Sequence, residues 1–354
     1  MTEPVRAVVV DDSPTARAVI VGILEADGVE VVGQAADGAA GVAMVRDLRP
    51  SVVVMDIVMP GLNGFEATRA IMAECPTPIV ILTGSFWPGD VAVSLQATKV
   101  GALTVQPKPP GPSSPNFVEE ADRLAVLIRA MADVKVVGRR GGQSRPSSSR
   151  ARSPRLEAGT IEVVGVGAST GGPAAVHRLL GLLPPTLGAP VVLVQHIPDG
   201  FAEGLVRWLA TGSSLAVTIA RSGETALPGH VYVAPPGHQM EVVGNCVLRL
   251  HDGPPVGGFR PSVSTLFSSL ASSFGRAAAA VVLTGMGADG LEGTRALRAA
   301  GGIVMAQDEA SSVVFGMPRV IARAGLADVV GSVDVLALEL ARLAGSSGHG
   351  RGRR

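Results

Sequence analysis

Five polar side chains in the first third of the sequence follow short apolar runs, and their types suit metal and phosphate chemistry. They are Asp11, Asp12, Asp56, Thr83 and Lys108, at or just after the ends of RAVVV, SVVVMD, PIVILTG and ALTVQP. Three crowded carboxylates repel one another, and a hard divalent cation such as Mg²⁺ relieves that repulsion. A lysine ammonium and a threonine hydroxyl can both donate to a doubly charged phosphoryl group. We therefore expect a site for Mg²⁺ and phosphate here.

A simpler interpretation is that each acid caps the helix that follows it. Capping accounts for Asp11 or Asp12 alone. It does not account for the pair together with Asp56 and with Lys108, which is one of only three lysines in the chain. The cluster as a whole favours the metal and phosphate interpretation.

A second set of polar residues, beyond residue 160, suits acyl transfer. Ser169 lies in GASTG, which matches the G-x-S-x-G spacing that exposes a serine hydroxyl between a strand and a helix. His196 ends the apolar run PVVLVQH, and Asp289 follows AAAAVVLTGMGA. Serine, histidine and aspartate are the nucleophile, base and orienting acid of acyl transfer. Their order along the chain differs from that of the α/β-hydrolases.

Two other interpretations compete for the Ser169 segment. Gly165 and Gly167 begin a G-x-G-x-x-G dinucleotide motif, but Thr170 occupies the third glycine position, so the match fails. A glycine-rich turn with a helix-capping serine remains open on this motif alone. Four other histidines lack a position after an apolar strand, and we expect turn or surface roles for them: His177, His230, His238 and His251.

The elements that would position both sets are strands that alternate with helical segments, which is typical of parallel βαβ units. In such sheets the chemistry lies at the carboxyl ends of the strands. We expect an α/β fold with two doubly wound domains. The first has a five-stranded, flavodoxin-like parallel sheet; the second is mostly parallel, with an antiparallel hairpin at VYVAPPGHQMEVV, residues 231–243.

Charge and composition predict the domain boundaries. The chain has 354 residues and a net charge of zero, yet residues 1–134 carry sixteen acidic and nine basic side chains. Residues 135–159 are rich in Arg, Ser and Gly, which predicts a flexible linker and favours a solvated tether over a nucleic-acid patch. A second domain at 160–344 and a basic flexible tail at 345–354 complete the prediction. Two cysteines, no signal-peptide pattern and no long apolar run predict a soluble cytoplasmic protein.

The motifs DDS, MDIVMPGLNG, LTG and KP resemble the receiver domain of two-component response regulators. The resemblance implies that Asp56 accepts a phosphoryl group from a histidine kinase. It implies Mg²⁺ bound by Asp12, Asp56 and the backbone carbonyl of Val58, with Asp11 acting through water. Thr83 and Lys108 would sense the phosphate. The family usually has an aromatic residue three positions before the lysine, and Val105 occupies that position here.

The motifs GASTGG, QHIP, LPGHVYVAPPGHQM, HDGPPVGGFRPSV, LTGMGADG and EASSVVFGMP resemble the chemotaxis protein-glutamate methylesterases, the CheB family. The resemblance implies Ser169 as nucleophile, His196 as general base and Asp289 as its orienter. It implies oxyanion donors from the backbone N–H groups of Thr170 and Met286. Relatives often have Asp where this chain has Ser264, a departure expected to affect a peripheral contact only.

The same resemblance implies a phosphorylation-activated hydrolase that demethylates glutamate γ-methyl esters and deamidates glutamines on chemoreceptors. Ester hydrolysis needs no cofactor, and the partners would be a receptor and a chemotaxis-type histidine kinase, without nucleic acid or membrane insertion. Two alternatives remain. One is a non-catalytic signalling module with a receiver domain. The other is a DNA-binding regulator, which the net acidic residues 161–344 disfavour.

Overall fold

The structure is a computed structural model that describes residues 4–84, 101–132, 134, 161–197 and 200–345. The chain divides into two compact units between Pro146 and Ser147. The predicted linker at 135–159 lies outside the described residues, as does the predicted tail except for Gly345. Those boundaries therefore stay predictions. Within the described ranges, no helix is both long and apolar enough to cross a membrane.

The first unit is a five-stranded parallel sheet with the strand order β2-β1-β3-β4-β5. This confirms the expected doubly wound receiver fold. Its elements are β1 Arg6–Val10, α1 Pro14–Ala26, β2 Glu30–Ala35, α2 Gly38–Leu48, β3 Val52–Asp56, α3 Gly64–Glu74, β4 Ile79–Thr83, β5 Thr104–Pro107 and α4 Phe117–Ala132.

Local sequence explains how this unit presents its polar edge. The strands β1, β3 and β4 are almost wholly buried, which fits their runs of Val and Ile in a sheet covered on both faces. Helix α1 begins at the N-cap Ser13, with Pro14 in its first turn. Helix α3 begins with a capping box formed by Asn63 and Glu66. Gly64 packs against Asp56, because a Cβ at Gly64 would lie 2.0 Å from the Asp56 carbonyl oxygen.

The second unit is a seven-stranded parallel sheet with the order β14-β13-β12-β6-β7-β9-β8, plus a two-stranded antiparallel hairpin. Its elements are β6 Val163–Ala168, α5 Gly172–Leu182, β7 Val191–Gln195, α6 Ala202–Thr211, β8 Ala216–Ile219, β9 His230–Val233, β10 Gln239–Val243, β11 Val247–His251, α7 Val263–Phe274, β12 Ala278–Val282, α8 Leu291–Ala299, β13 Ile303–Gln307, α9 Met317–Arg323, β14 Val329–Gly331 and α10 Val333–Leu343.

Two apolar cores cover the faces of this larger sheet. On one face, side chains of α5, α6 and α10 pack against the strands, with Leu179, Leu209 and Leu340 fully buried. On the other face, α7, α8, α9 and the hairpin pack against the strands, and Phe267 is the largest fully buried side chain there. The sheet is thus closed to water on both faces, and its carboxyl edge carries the polar residues discussed below.

The location predicted for the hairpin was wrong. Strand β9 is parallel to β7 and β8, whereas the antiparallel pair is β10 with β11, joined by residues 244–246. Pro235 and Pro236 come one residue after the end of β9, and proline has no N–H for the ladder of a tight hairpin. Asn245 and Cys246 take left-handed backbone angles in the true turn, which asparagine tolerates well.

Candidate functional site

In the first unit, the ends of four parallel strands bring the predicted polar residues together. The carboxylate oxygens of Asp11, Asp12 and Asp56 lie within 4.8 Å of one another. The Lys108 Nζ atom lies 2.8 Å from Asp11 Oδ2 and 2.9 Å from Asp56 Oδ2. Thr83 is buried at the end of β4, and its carbonyl accepts a hydrogen bond from the Lys108 backbone N–H. The structure therefore brings the five predicted residues together at one edge of the sheet.

Burial and pairing set the charges in this cluster. Burial raises the pKa of Asp56, and the hydrogen bond and ion pair with Lys108 offset only part of that effect. Burial by itself would lower the pKa of Lys108, but hydrogen bonds to Asp11 and Asp56 outweigh it and raise the pKa. Lys108 therefore stays an ammonium ion beside the three clustered carboxylates.

The donor set fits Mg²⁺, because three clustered carboxylates supply the oxygen ligands that this ion prefers. Asp12 is exposed, so it can meet an ion that keeps part of its water shell. Val58 lies two residues beyond Asp56 with an exposed side chain. The role of its carbonyl stays a prediction. Val105 is half-buried against the apolar core of this unit.

In the second unit, strand register brings the serine and the histidine to one edge. Ala168 pairs with Gln195 across β6 and β7, so Ser169 and His196 are the next residues on adjacent parallel strands. The His196 N–H donates to the Ala168 carbonyl at 3.0 Å. The Ser169 N–H donates to the Thr284 carbonyl at 3.1 Å, which joins this edge to the loop after β12.

The imidazole of His196 faces Asp289, with Nε2 2.9 Å from Asp289 Oδ2. The other ring nitrogen, Nδ1, is buried and has no hydrogen-bond partner among the described residues. In the same described ranges, the Ser169 hydroxyl makes no hydrogen bond within 3.5 Å. Since Nε2 is engaged by Asp289, Nδ1 is the ring nitrogen left available for a further hydrogen bond. In free enzymes such catalytic contacts are often longer than in the substrate complex.

The Asp289 carboxylate lies at the N-terminus of helix α7 and accepts a dense set of hydrogen bonds. Its Oδ1 accepts from the Ser262 hydroxyl and from the N–H groups of Ser264 and Gly290, and its Oδ2 accepts from the Val263 N–H. Burial would raise the pKa of Asp289, but the His196, Val263 and Ser262 hydrogen bonds outweigh it and lower the pKa. The positive end of the helix dipole acts in the same direction.

Ser264 lies closer to Asp289 than the sequence analysis predicted. Its N–H donates to Asp289 Oδ1 at 3.0 Å, and its hydroxyl accepts from the Gly290 N–H at 2.8 Å. Ser262, the N-cap of α7, was missed altogether. A serine directly before the apolar-periodic run VSTLFSSL is a helix-start signal, so the position of Ser262 could have been found. Its contact with Asp289, 27 residues further along the chain, could not have been predicted from a local pattern.

Phe259 is a further residue that the sequence analysis missed. Its ring stacks on the His196 imidazole, with centroids 3.9 Å apart and planes 3° from parallel. The segment around it is held by the buried Gln239, whose side-chain N–H groups donate to the carbonyls of Pro254 and Phe259. Phe259 thus covers one face of the imidazole. Nothing in the local pattern of HDGPPVGGF indicates that contact.

The two predicted oxyanion donors lie in loops beside the serine. The backbone N–H groups of Thr170 and Met286 have no acceptor among the described residues. The buried Thr284 hydroxyl donates to the Thr170 carbonyl at 2.9 Å, which ties the two loops together. Gly285 allows a close approach, because a Cβ there would lie 2.8 Å from Ser169 Cβ. The arrangement suits an oxyanion hole, and the assignment stays a prediction.

The other histidines lie elsewhere, as expected. His177 stacks on Trp208 of α6, with ring centroids 4.2 Å apart. His230 has Nδ1 3.1 Å from the Pro228 carbonyl oxygen, and His238 pairs with the exposed Asp252. His251 accepts a hydrogen bond from Gly253. Among the histidines that the structure describes, His196 is the one that faces Asp289.

A receiver fold with an acidic pocket, followed by an α/β unit with serine, histidine and aspartate at one edge, defines a response regulator with a hydrolase-like output. Family models agree: residues 7–114 match the response regulator receiver domain and residues 164–340 match the CheB methylesterase. The chain belongs to the CheB family of receiver-linked methylesterases.

Individual relatives cover nearly the whole chain. A protein-glutamate methylesterase/protein-glutamine glutaminase of Myxococcus xanthus is 46% identical, over 96% of this chain and 96% of that protein. One of Anaeromyxobacter dehalogenans is 48% identical, over 95% of this chain and 98% of that protein. The solved catalytic domain of the Thermotoga maritima CheB methylesterase is 35% identical, with a TM-score of 0.49, and covers 51% of this chain and 97% of that domain.

Proposed function

We propose that the chain is a phosphorylation-activated hydrolase that demethylates glutamate γ-methyl esters, and deamidates glutamines, on chemoreceptors. The observation that carries the mechanism is the meeting of three strand ends at one sheet edge, where His196 contacts Asp289 beside Ser169. The relatives' names support the substrate class.

Acylation begins when Ser169 Oγ attacks the carbonyl carbon of the ester, while His196 Nδ1 takes the hydroxyl proton. The bond between that carbon and the methoxy oxygen then breaks. His196 gives its proton to the departing oxygen, so methanol leaves and the glutamyl group stays on Ser169 as an ester. With a glutamine side chain the departing group is ammonia.

Deacylation repeats the same steps with water. His196 takes a proton from a water molecule, whose oxygen attacks the glutamyl–Ser169 ester. The bond to Ser169 Oγ breaks, the serine regains its proton from His196, and a glutamate carboxylate is released. In both steps the N–H groups of Thr170 and Met286 donate to the oxygen that becomes negative in the tetrahedral intermediate.

Asp289 holds the imidazole in one orientation and stabilises it when it becomes positively charged. Because hydrogen bonds lower the pKa of Asp289, its carboxylate stays ionised in the folded enzyme near neutral pH. Phe259 keeps water from one face of the ring. The reaction needs no cofactor.

In the receiver unit, Asp56 accepts a phosphoryl group from a histidine kinase. Asp12, Asp56 and the Val58 carbonyl would hold Mg²⁺, with Asp11 acting through water, and the ion would neutralise phosphoryl charge. Lys108 and Thr83 would contact the phosphoryl oxygens. We place the protein in the cytoplasm, which is reducing and fits two unpaired cysteines, Cys75 and Cys246.

Methanol release from methyl-labelled receptor membranes tests the proposal. We expect the full chain to release methanol, and Ser169→Ala to lose at least about 10³-fold in rate, because no hydroxyl remains to form the acyl-enzyme. Ser272→Ala, which removes an exposed hydroxyl that donates to the Ser268 carbonyl in α7, is the matched control and should retain full activity. Equal rates for Ser169→Ala and wild type would contradict the proposal.

A further inference from the structure

We propose that Gln195 is a positioning residue for this hydrolysis, because its side-chain amide sets the direction of the Thr170 N–H. The inference rests on the proposed function. Gln195 is the last residue of β7, precedes His196 directly and is 1% exposed. A polar side chain this deeply buried is expected to have defined hydrogen-bond partners.

The amide nitrogen of Gln195 bridges the main chains of the two reacting residues. Its Nε2 donates to the carbonyl oxygen of Ser169 at 2.8 Å and to the carbonyl oxygen of His196 at 3.0 Å. The Gly172 N–H also donates to the Ser169 carbonyl at 2.8 Å. Two donors therefore hold the Ser169 carbonyl, one from a strand end and one from the first residue of a helix.

Holding this carbonyl fixes the oxyanion donor. The Ser169 C=O and the Thr170 N–H belong to one planar trans peptide group, in which the two bonds point in opposite directions. The hydrogen bonds from Gln195 and Gly172 to the Ser169 oxygen therefore fix the Thr170 N–H so that it points away from these two donors. The Thr284 hydroxyl, 2.9 Å from the Thr170 carbonyl, fixes the next peptide group. A preorganised donor needs no reorientation in the transition state.

The side-chain oxygen of the same amide makes no comparable hydrogen bond. Gln195 Oε1 is buried without a hydrogen-bond partner among the described residues. It packs against Gly172, where a Cβ would lie 2.1 Å from Oε1. An unpaired acceptor opposes stability, so the two donor contacts explain the amide here, and the glycine leaves it the space that it needs.

The first test replaces Gln195 with methionine, which has a similar length but no N–H donors. We expect kcat on a peptide carrying one γ-glutamyl methyl ester to fall about 10- to 100-fold. This is less than the 10²–10³-fold cost of losing an entire oxyanion donor, because the Gly172 N–H still holds the carbonyl. The KM should stay within about twofold, and the acid limb of the kcat/KM profile should not move, because the His196–Asp289 pair is untouched.

A matched control separates this role from general loss of buried hydrogen bonds. Ser269 is half-buried in α7, and its hydroxyl donates to the Leu266 carbonyl and accepts from the Val242 N–H. Ser269→Ala removes two backbone contacts, as Gln195→Met does, but far along α7 from Asp289. It should lower the melting temperature and leave kcat within about twofold of wild type.

The second test displaces the Gln195 amide without changing Gln195. Gly172→Ala places a methyl group where Oε1 lies, so we expect a loss of kcat similar to that of Gln195→Met. In a Gln195→Ala background the overlap with the amide is gone and only the Ala168 Cβ, 2.9 Å from the added methyl group, stays close, so Gly172→Ala should cost clearly less kcat than in the wild-type background. This non-additivity identifies the two positions as one unit.

The outcomes separate this inference from the proposed function. A wild-type chain that releases no methanol contradicts the proposed function itself. With wild type active and Ser169→Ala inactive, unchanged kcat in Gln195→Met or Gly172→Ala overturns the role of Gln195. A shifted acid limb, a raised KM as the sole effect, or additive losses in the double variant overturn it as well. If Gln195→Met does not fold, the comparison of Gly172→Ala in the wild-type and Gln195→Ala backgrounds decides, because the Ala168 Cβ is the same in both.

Discussion

At Asp289, five donors converge on one carboxylate, and each of them constrains what else could occupy the position. Three of them, from Ser262, Val263 and Ser264, lie at the N-terminus of α7. The fourth is the Gly290 N–H, and the fifth is the His196 ring. All five donate, so only a group that accepts on both oxygens satisfies them. An ionised aspartate does this, and an amide does not.

We predict that Asp289→Asn lowers kcat by about 10³–10⁴-fold. In one orientation its NH₂ group would face the Val263 N–H, which is also a donor. In the other the asparagine would favour the wrong tautomer of His196. It should also lower the free energy of unfolding by about 1–3 kcal/mol at neutral pH. Methanol release and chemical denaturation measure the two effects.

The pH dependence provides the control. The pKa of Asp289 lies below its ordinary value of 3.8 in the fold, so its stabilisation is complete above that value and is lost as pH falls through the lowered pKa. The stability gap between wild type and Asp289→Asn should therefore be constant from neutral pH to about pH 5 and shrink only in stronger acid. A gap that closes near pH 6 would assign the stabilisation to another group.

Among the helices and strands, those that depend on a local sequence pattern could be predicted from the sequence. Apolar runs ending in polar residues located β1, β3, β6, β7 and β12, and the βαβ alternation implied that their ends would meet. The hairpin was misplaced because alternation alone does not choose a partner for β10, which pairs with β11 rather than β9. Pairing is decided by contacts distant in sequence and by turn residues such as Asn245.

The candidate site divides in the same way. Ser169, His196 and Asp289 could be predicted because each follows a recognisable strand. Phe259 and Ser262 could not be assigned to the site, because a loop and a helix start distant along the chain bring them to His196 and Asp289. Gln195 is adjacent to His196 in sequence, yet only its buried amide contacts show a role.

At the scale of the whole molecule, the chain joins a phosphate-accepting unit to a hydrolytic one. Allosteric coupling of this kind usually amounts to about 5- to 150-fold. We predict that acetyl phosphate with Mg²⁺ stimulates methanol release by the wild type within that range. Asp56→Asn should keep the basal rate and lose the stimulation, because its amide oxygen is too weak a nucleophile to accept the phosphoryl group.

Asp47→Asn is the matched control for this experiment. Asp47 is an exposed acid of the same unit, paired only with the exposed Arg46. It should be stimulated as the wild type is. Equal stimulation of Asp56→Asn and wild type would show that the acidic pocket around Asp56 does not control the hydrolase.

We propose that Ser169 and His196 act as one catalytic unit at the carboxyl edge of the seven-stranded sheet. The most direct test compares methanol release by Ser169→Ala, His196→Ala and the double variant, each with the receiver phosphorylated. Residues that share one reaction step are strongly non-additive. We predict that all three variants lose activity to the same level, within about threefold. Losses that multiply in the double variant, or a His196→Ala variant close to wild type, would contradict the account.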